Sequence, residues 1–182
     1  MNSIYGNPNV IGLFASITPE KRRKVFISYH HGNDQIYYDE FTRLFHYQYE
    51  AIRDNSLDRI IESNDTEYVM RQIREQHING TSCTIVLIGE KSHERKYLDW
   101  EIKATLDKCH GLVGLVLPEH IKNLNGEIVV PDRFLDNYRS GYAVWAYWQT
   151  LTNQALTKII NAAASKSKFQ IDNSRPLRQR NG

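Results

Sequence analysis

Six residues with barely a polar group among them, Cys83-Thr84-Ile85-Val86-Leu87-Ile88, end abruptly at Gly89. A short apolar run without alternation reads as a strand covered on both faces, which is the mark of a parallel sheet sandwiched between helices. Helical spacing follows almost at once through Leu98, Ile102, Leu106 and Cys109, and stops at Gly111. Tyr97 and Glu101 stand four apart on that segment, so they share one helix face beside the strand's carboxyl end. Open α/β sheets bind their ligands at that end.

The rest of the chain repeats the alternation. Val25 to Tyr29 reads as a first strand, followed by the polar loop His30 to Asp34 and a helix carrying Tyr37, Phe41, Leu44, Phe45 and Ile52 on one face. A second strand is expected in Leu57 to Ile61, and a helix then starts at Asp65 as N-cap, with Val69, Met70, Ile73 and His77 aligned and Asn79-Gly80 as its stop. Leu112 to Leu117 and Ala143 to Trp148 supply the fourth and fifth strands, and Leu151, Ala155, Leu156, Ile159, Ile160 and Ala163 a closing helix. This order predicts an α/β three-layer sandwich around a central, mainly parallel five-stranded sheet. Residues 1–20 read as an N-terminal extension, 21–165 as the domain and 166–182 as a basic, disordered tail. Residues 119–141 read as irregular and functional or partner-facing, and Phe134, Tyr138 and Tyr142, with Trp145, Tyr147 and Trp148 nearby, read as aromatics for self-association or, from a fifth-strand location, in part as core residues.

Composition narrows the function classes. A net charge of +2 gives no reason to expect nucleic acid or an anionic membrane. No apolar run reaches the length of a membrane span, no signal core is visible, and two cysteines form no framework, so a cytoplasmic protein is expected. His77, His93, His110 and His120 lack metal spacing, and no metal is expected. Neither a dinucleotide fingerprint nor a P-loop is present. A receiver-type phosphorylation site fails as well, because Ser28-Tyr29-His30-His31 and Gly89-Glu90-Lys91 occupy the places where a Mg²⁺-binding carboxylate cluster and a phosphorylatable Asp belong.

Three stretches carry a resemblance: Val25 to His30, Asn79 to Gly89 and Arg95 to Ile102. In this order they resemble the TIR-like family of bacterial proteins that includes the TIR subunit of Thoeris antiphage defence, by motif over residues 24–117 and by architecture beyond. The family motif after the third strand is an aromatic, usually Trp, four residues before a Glu. Here Tyr97 takes the aromatic place and Trp100 stands beside Glu101. The resemblance implies a flavodoxin-like fold and, in catalytic members, cleavage of the bond between nicotinamide and ribose in NAD, which is then a substrate rather than a cofactor.

Residue chemistry agrees with that implication. Departure of neutral nicotinamide leaves a cationic ribosyl centre, and one carboxylate aimed at it lowers the barrier without any general acid. Glu101 is the catalytic candidate, and Ser28, Tyr29, His30, His31, Asp34 and Tyr97 are candidates for holding substrate. Water as acceptor gives ADP-ribose; a nucleophile from the same molecule gives a cyclic ADP-ribose isomer, a signal for a separate nucleotide-sensing effector. Each residue also has a plainer role: Glu101 as a solvated charge near a helix start, Asp34 as a helix cap, Tyr97 as a packing aromatic, the histidines as loop residues. The alternative function is a noncatalytic TIR-like assembly module.

Overall fold

The computed structural model describes residues 23–53 and 65–182. Five strands, β1 (Arg23–Ser28), β2 (Tyr49–Arg53), β3 (Cys83–Ile88), β4 (Gly111–Val116) and β5 (Val144–Tyr147), form one all-parallel sheet in the order β2-β1-β3-β4-β5. Helices α1 (Gln35–Phe45) and α5 (Asn153–Ala164) cover one face. The other face carries α2 (Thr66–Gln72), which widens into a π-helical turn over Ile73–Ile78, together with α3 (Lys96–Asp107) and α4 (Asp132–Arg139).

Strand β3 lies in the middle and is buried along its whole length. Its alternate residues divide between the layers: Cys83, Ile85 and Leu87 pack beneath α1 and α5, while Val86 and Ile88 meet Leu98 and Ile102 of α3. Phe26, Val86, Ile88, Leu98, Ile102 and Val113 are all at most 2% exposed. The switch in strand order falls between β1 and β3, so their carboxyl ends open the crevice where ligands of such sheets bind.

Several expectations need correcting. Ile52 belongs to β2, where it pairs with Phe26 of β1, and not to the first helix. Its seven-residue interval from Phe45 fits a helix face, but α1 ends at Phe45, and pairing with β1 overrides the local period. The strand expected in Leu57 to Ile61 lies outside the described residues. Leu44 turns outward at 44% exposure while Tyr38 takes the inner place, and Cys109 is exposed with φ +55, ending α3 rather than packing beneath it. Within 119–141 stands α4, hidden from a hydrophobic pattern because two of its three buried residues, Arg133 and Asn137, are polar. Phe134 and Tyr142 are fully buried core residues, and Trp148 packs on the α1 side.

The last correction concerns residues 166–182, which are packed rather than disordered. Asn137 grips Asp172 from both sides, its Nδ2 donating to the Asp172 carbonyl at 2.7 Å and its Oδ1 accepting from the Asp172 N–H at 3.0 Å. Arg133 donates to Asn173 Oδ1 and to the carbonyls of Arg175 and Pro176. Trp100 Nε1 donates to the Arg178 carbonyl at 2.8 Å, and the Gly182 N–H reaches the Glu94 carbonyl. Hydrogen bonds from buried side chains to tail backbone leave no trace in composition, which is why the segment reads as solvated.

Candidate functional site

Helix α3 delivers Glu101 to the crevice. Leu98, Ile102 and Leu106 clamp one side of α3 onto β3 and β4, while Trp100 and Ala104 anchor the other over Phe26. Between these stripes Glu101 is only 4% exposed. Ser28, the last residue of β1 and 1% exposed, donates its hydroxyl to Glu101 Oε2. The pair joins residues 73 apart in sequence, at the carboxyl end of the sheet beside the switch in strand order.

Two threonines missed by the sequence reading hold that geometry. Thr105 Oγ1 donates to the Glu101 carbonyl at 2.8 Å and lies 2.6 Å from Thr84 Oγ1 on β3. Both are fully buried, so this hydroxyl bridge fixes the turn of α3 that carries Glu101 against the middle strand. The available signal was a Thr inside an apolar strand and another four residues beyond Glu101.

Tyr29 follows Ser28 and therefore points to the opposite face of the sheet. There it stacks on Tyr38 at 4.9 Å and on His31 at 4.3 Å, with its hydroxyl donating to Gln35 Oε1. Tyr29 and His31 thus belong to the α1 layer rather than to the Glu101 side. His30 organises its own loop: Nδ1 accepts the N–H groups of Gly32 and Asn33 at 3.1 and 3.2 Å. Tyr97 sits edge-on to Trp100 at 5.6 Å, with Lys96 Nζ 4.9 Å from its ring centre, and packs on the Phe26 cluster.

Asp34 approaches the crevice from the α1 side. Its side chain makes no cap bond to α1, and it is 3% exposed. Oδ1 occupies space that a Cβ on residue 89 would need, only 2.3 Å away, so Gly89 is what lets the carboxyl group reach the end of β3. Among the described residues Oδ2 has no hydrogen-bond partner. Burial pushes the Asp34 carboxyl up to about 6, against a backbone hydrogen bond from His30 that favours the anion, with Glu119 and Glu90 adding to the rise. Tyr37, also missed, donates to the Glu119 carboxylate, and burial and that bond push its phenol up to about 12.

The crevice is closed around Ser28 and Glu101. One cavity of about 640 Å³ runs along α4 and β5, and a smaller one of about 230 Å³ lies between α3 and the C-terminal segment. Neither is lined by Ser28 or Glu101. Among the described residues no cluster of three or more His, Cys, Asp or Glu is arranged to hold a metal ion, and no helix is long and apolar enough to cross a membrane.

The family described as Thoeris protein ThsB, TIR-like domain, matches residues 26–122, more than half of the chain, from β1 to the loop beyond β4. That span contains both Ser28 and Glu101. No curated protein matches the chain.

Proposed function

Because the chain belongs to the TIR-like domain family of the Thoeris protein ThsB, we propose that it cleaves NAD at the nicotinamide-ribose bond, with Glu101 as the catalytic carboxylate and Ser28 as the residue that orients it. Family membership supports a role in antiphage defence. The observation that carries the proposal is the Ser28 to Glu101 hydrogen bond, formed between a strand end and a helix at the sheet's switch point.

The chemistry runs from charge. As the glycosidic bond breaks, its electron pair leaves with nicotinamide, which becomes neutral, and positive charge spreads over the ribose C1′ and ring oxygen. A carboxylate shielded from water interacts with such a cation far more strongly than one in solvent. Donation from the Ser28 hydroxyl to Oε2 orients the Glu101 carboxylate at the end of the sheet, where it would face C1′. The cation is then captured by water, releasing a proton and ADP-ribose, or by a nucleophilic atom of the same molecule, giving a cyclic isomer for a separate effector. Tyr29 and His31 lie on the other face, where their stacking supports the loop.

One observation favours the noncatalytic alternative, an assembly module: Ser28 and Glu101 are at most 4% exposed. Catalysis therefore requires the loops at the carboxyl edge to open, which fits an enzyme held silent until triggered. The test is release of free nicotinamide from NAD by the purified chain, alone and with extract of infected cells, beside Glu101→Gln. Release by the wild type and none by the folded variant is the expected result; no release under any trigger leaves the assembly module.

A further inference from the structure

On the sheet face that carries α3, α4 and β5 leave between them the cavity of about 640 Å³, within the range of small-molecule sites. Its walls are aromatic. Tyr138 of α4 stacks on Trp145 of β5, with 4.8 Å between ring centres and 29° between planes, and Tyr147 tilts against Trp145 at 6.2 Å. Tyr138 and Tyr147 still expose 40% and 42% of their surface. An open-faced aromatic stack offers a further flat ring both dispersion and a polarisable face.

Charge on the same walls selects what else the ligand carries. Lys122 and Arg139 line the cavity, and among the described residues neither is engaged in an ion pair. Of the two carboxylates present, Asp132 pairs with Arg175 at 3.4 Å. Glu127 accepts from Asn123 Nδ2 at 2.8 Å, which fixes it as an acceptor for hydroxyl or amino hydrogens. Aromatic stack, two unengaged cations and a fixed acceptor match base, phosphate and ribose.

The register sets this cavity apart from Glu101. Ser28 pairs with Val86, Val86 with Gly114 and Gly114 with Trp145, one row across four strands, which puts about 14 Å between Ser28 and Trp145 at ordinary strand spacing. Phe134 fills the space over Gly114, where an added Cβ would come within 2.4 Å of its ring. A molecule cannot lie flat along the row from one place to the other, so these are two sites.

We propose that the α4–β5 cavity is a ligand site for a nucleoside phosphate, its base against Tyr138, Trp145 and Tyr147 and its phosphate on Lys122 and Arg139. This assignment stands whether or not the chain cleaves NAD. The ligand is either a cellular mononucleotide or a product of the protein's own reaction. Calorimetric titration of the full chain with AMP and with ADP-ribose, against adenosine and inorganic phosphate, separates the cases. The expected result is saturable binding of AMP or ADP-ribose, at least tenfold tighter than of adenosine or phosphate alone. Tighter AMP marks a cellular nucleotide; tighter ADP-ribose marks a product. Lys122→Ala with Arg139→Ala weakens binding tenfold or more, and Glu101→Gln leaves AMP binding unchanged. Absence of saturation by either nucleotide up to millimolar concentration overturns the assignment. Binding indifferent to the Lys122 and Arg139 changes, or lost in Glu101→Gln, overturns it equally.

Discussion

Helix α3 buries two carboxylates two residues apart, and their surroundings differ in kind. Asp99, 6% exposed, faces Arg133, whose guanidinium is fully buried and donates to both of its oxygens at 2.8 and 3.2 Å. The remaining donors of Arg133 go to Asn173, Arg175 and Pro176, and Asp99 also accepts the Arg178 N–H, so all five guanidinium hydrogens are used. Glu101, 4% exposed, receives the Ser28 hydroxyl and sits at the carboxyl end of the sheet. A buried carboxylate matched by a guanidinium in bidentate fashion is neutralised, and what it does is hold the C-terminal segment to the domain. In the proposed reaction Glu101, oriented by a hydroxyl at the switch point, supplies negative charge to the cation formed from substrate.

The comparison breaks first, and hardest, at Arg133. Arg133→Ala leaves Asp99 buried without its cation and releases the tail backbone, so unfolding in urea should show a loss of about 3–5 kcal/mol. A variant that melts like the wild type would put the strap outside the folded unit. Glu101→Gln should do the reverse, lowering the rate of nicotinamide release about 100-fold or more while leaving the urea midpoint nearly in place. Ser28→Ala should cost less, about tenfold in rate, because it loosens the carboxylate without removing it.

A third buried carboxylate sharpens the contrast. Asp34 has neither guanidinium nor cap bond, and its folded value of about 6 lies above the 3.8 of an unperturbed Asp. The folded state therefore binds more protons than the unfolded one between these values, and stability falls as pH rises from about 4 to about 6. Asp34→Asn should remove that slope and stabilise the protein at pH 7 by on the order of 2 kcal/mol, with no gain at pH 4. Urea midpoints of the two proteins across pH 4–7 check it; parallel curves would mean that Asp34 is charged and paired. The smallest effect is expected of Trp100→Phe, which drops the bond to the Arg178 carbonyl at a cost of about 1 kcal/mol. Faster amide exchange confined to residues near Arg178 would locate that loss in the strap.

Much of the crevice was legible without coordinates. Ser28 and Glu101 were assigned to the mouth of the sheet from the apolar runs that precede them, since a buried parallel strand fixes which end of the sheet the next loop occupies, whereas Asp34 was read only as a substrate-holding candidate or a helix cap. Tyr29 shows the limit of that reading: next to Ser28 in sequence, it faces the other layer because side chains alternate along a strand. Thr84 and Thr105 were passed over because a hydroxyl costs little in an apolar run and advertises nothing until its partner is placed opposite it.

The sequence by itself determined the strand and helix alternation around β1, β3 and β4, the burial of β3 along its length, and the edge of the sheet to which Glu101 belongs. These follow from periodicity, which is a property of local windows and of the hydrophobic effect acting on one face at a time. Only the tertiary structure decided that Ser28 meets Glu101 across 73 residues, that Asp99 meets Arg133 across 34, and that the basic tail lies bound along α3 and α4. Hydrogen bonds and ion pairs are directional and short, so which polar groups find one another depends on how the layers pack, and no stretch of neighbouring residues encodes it.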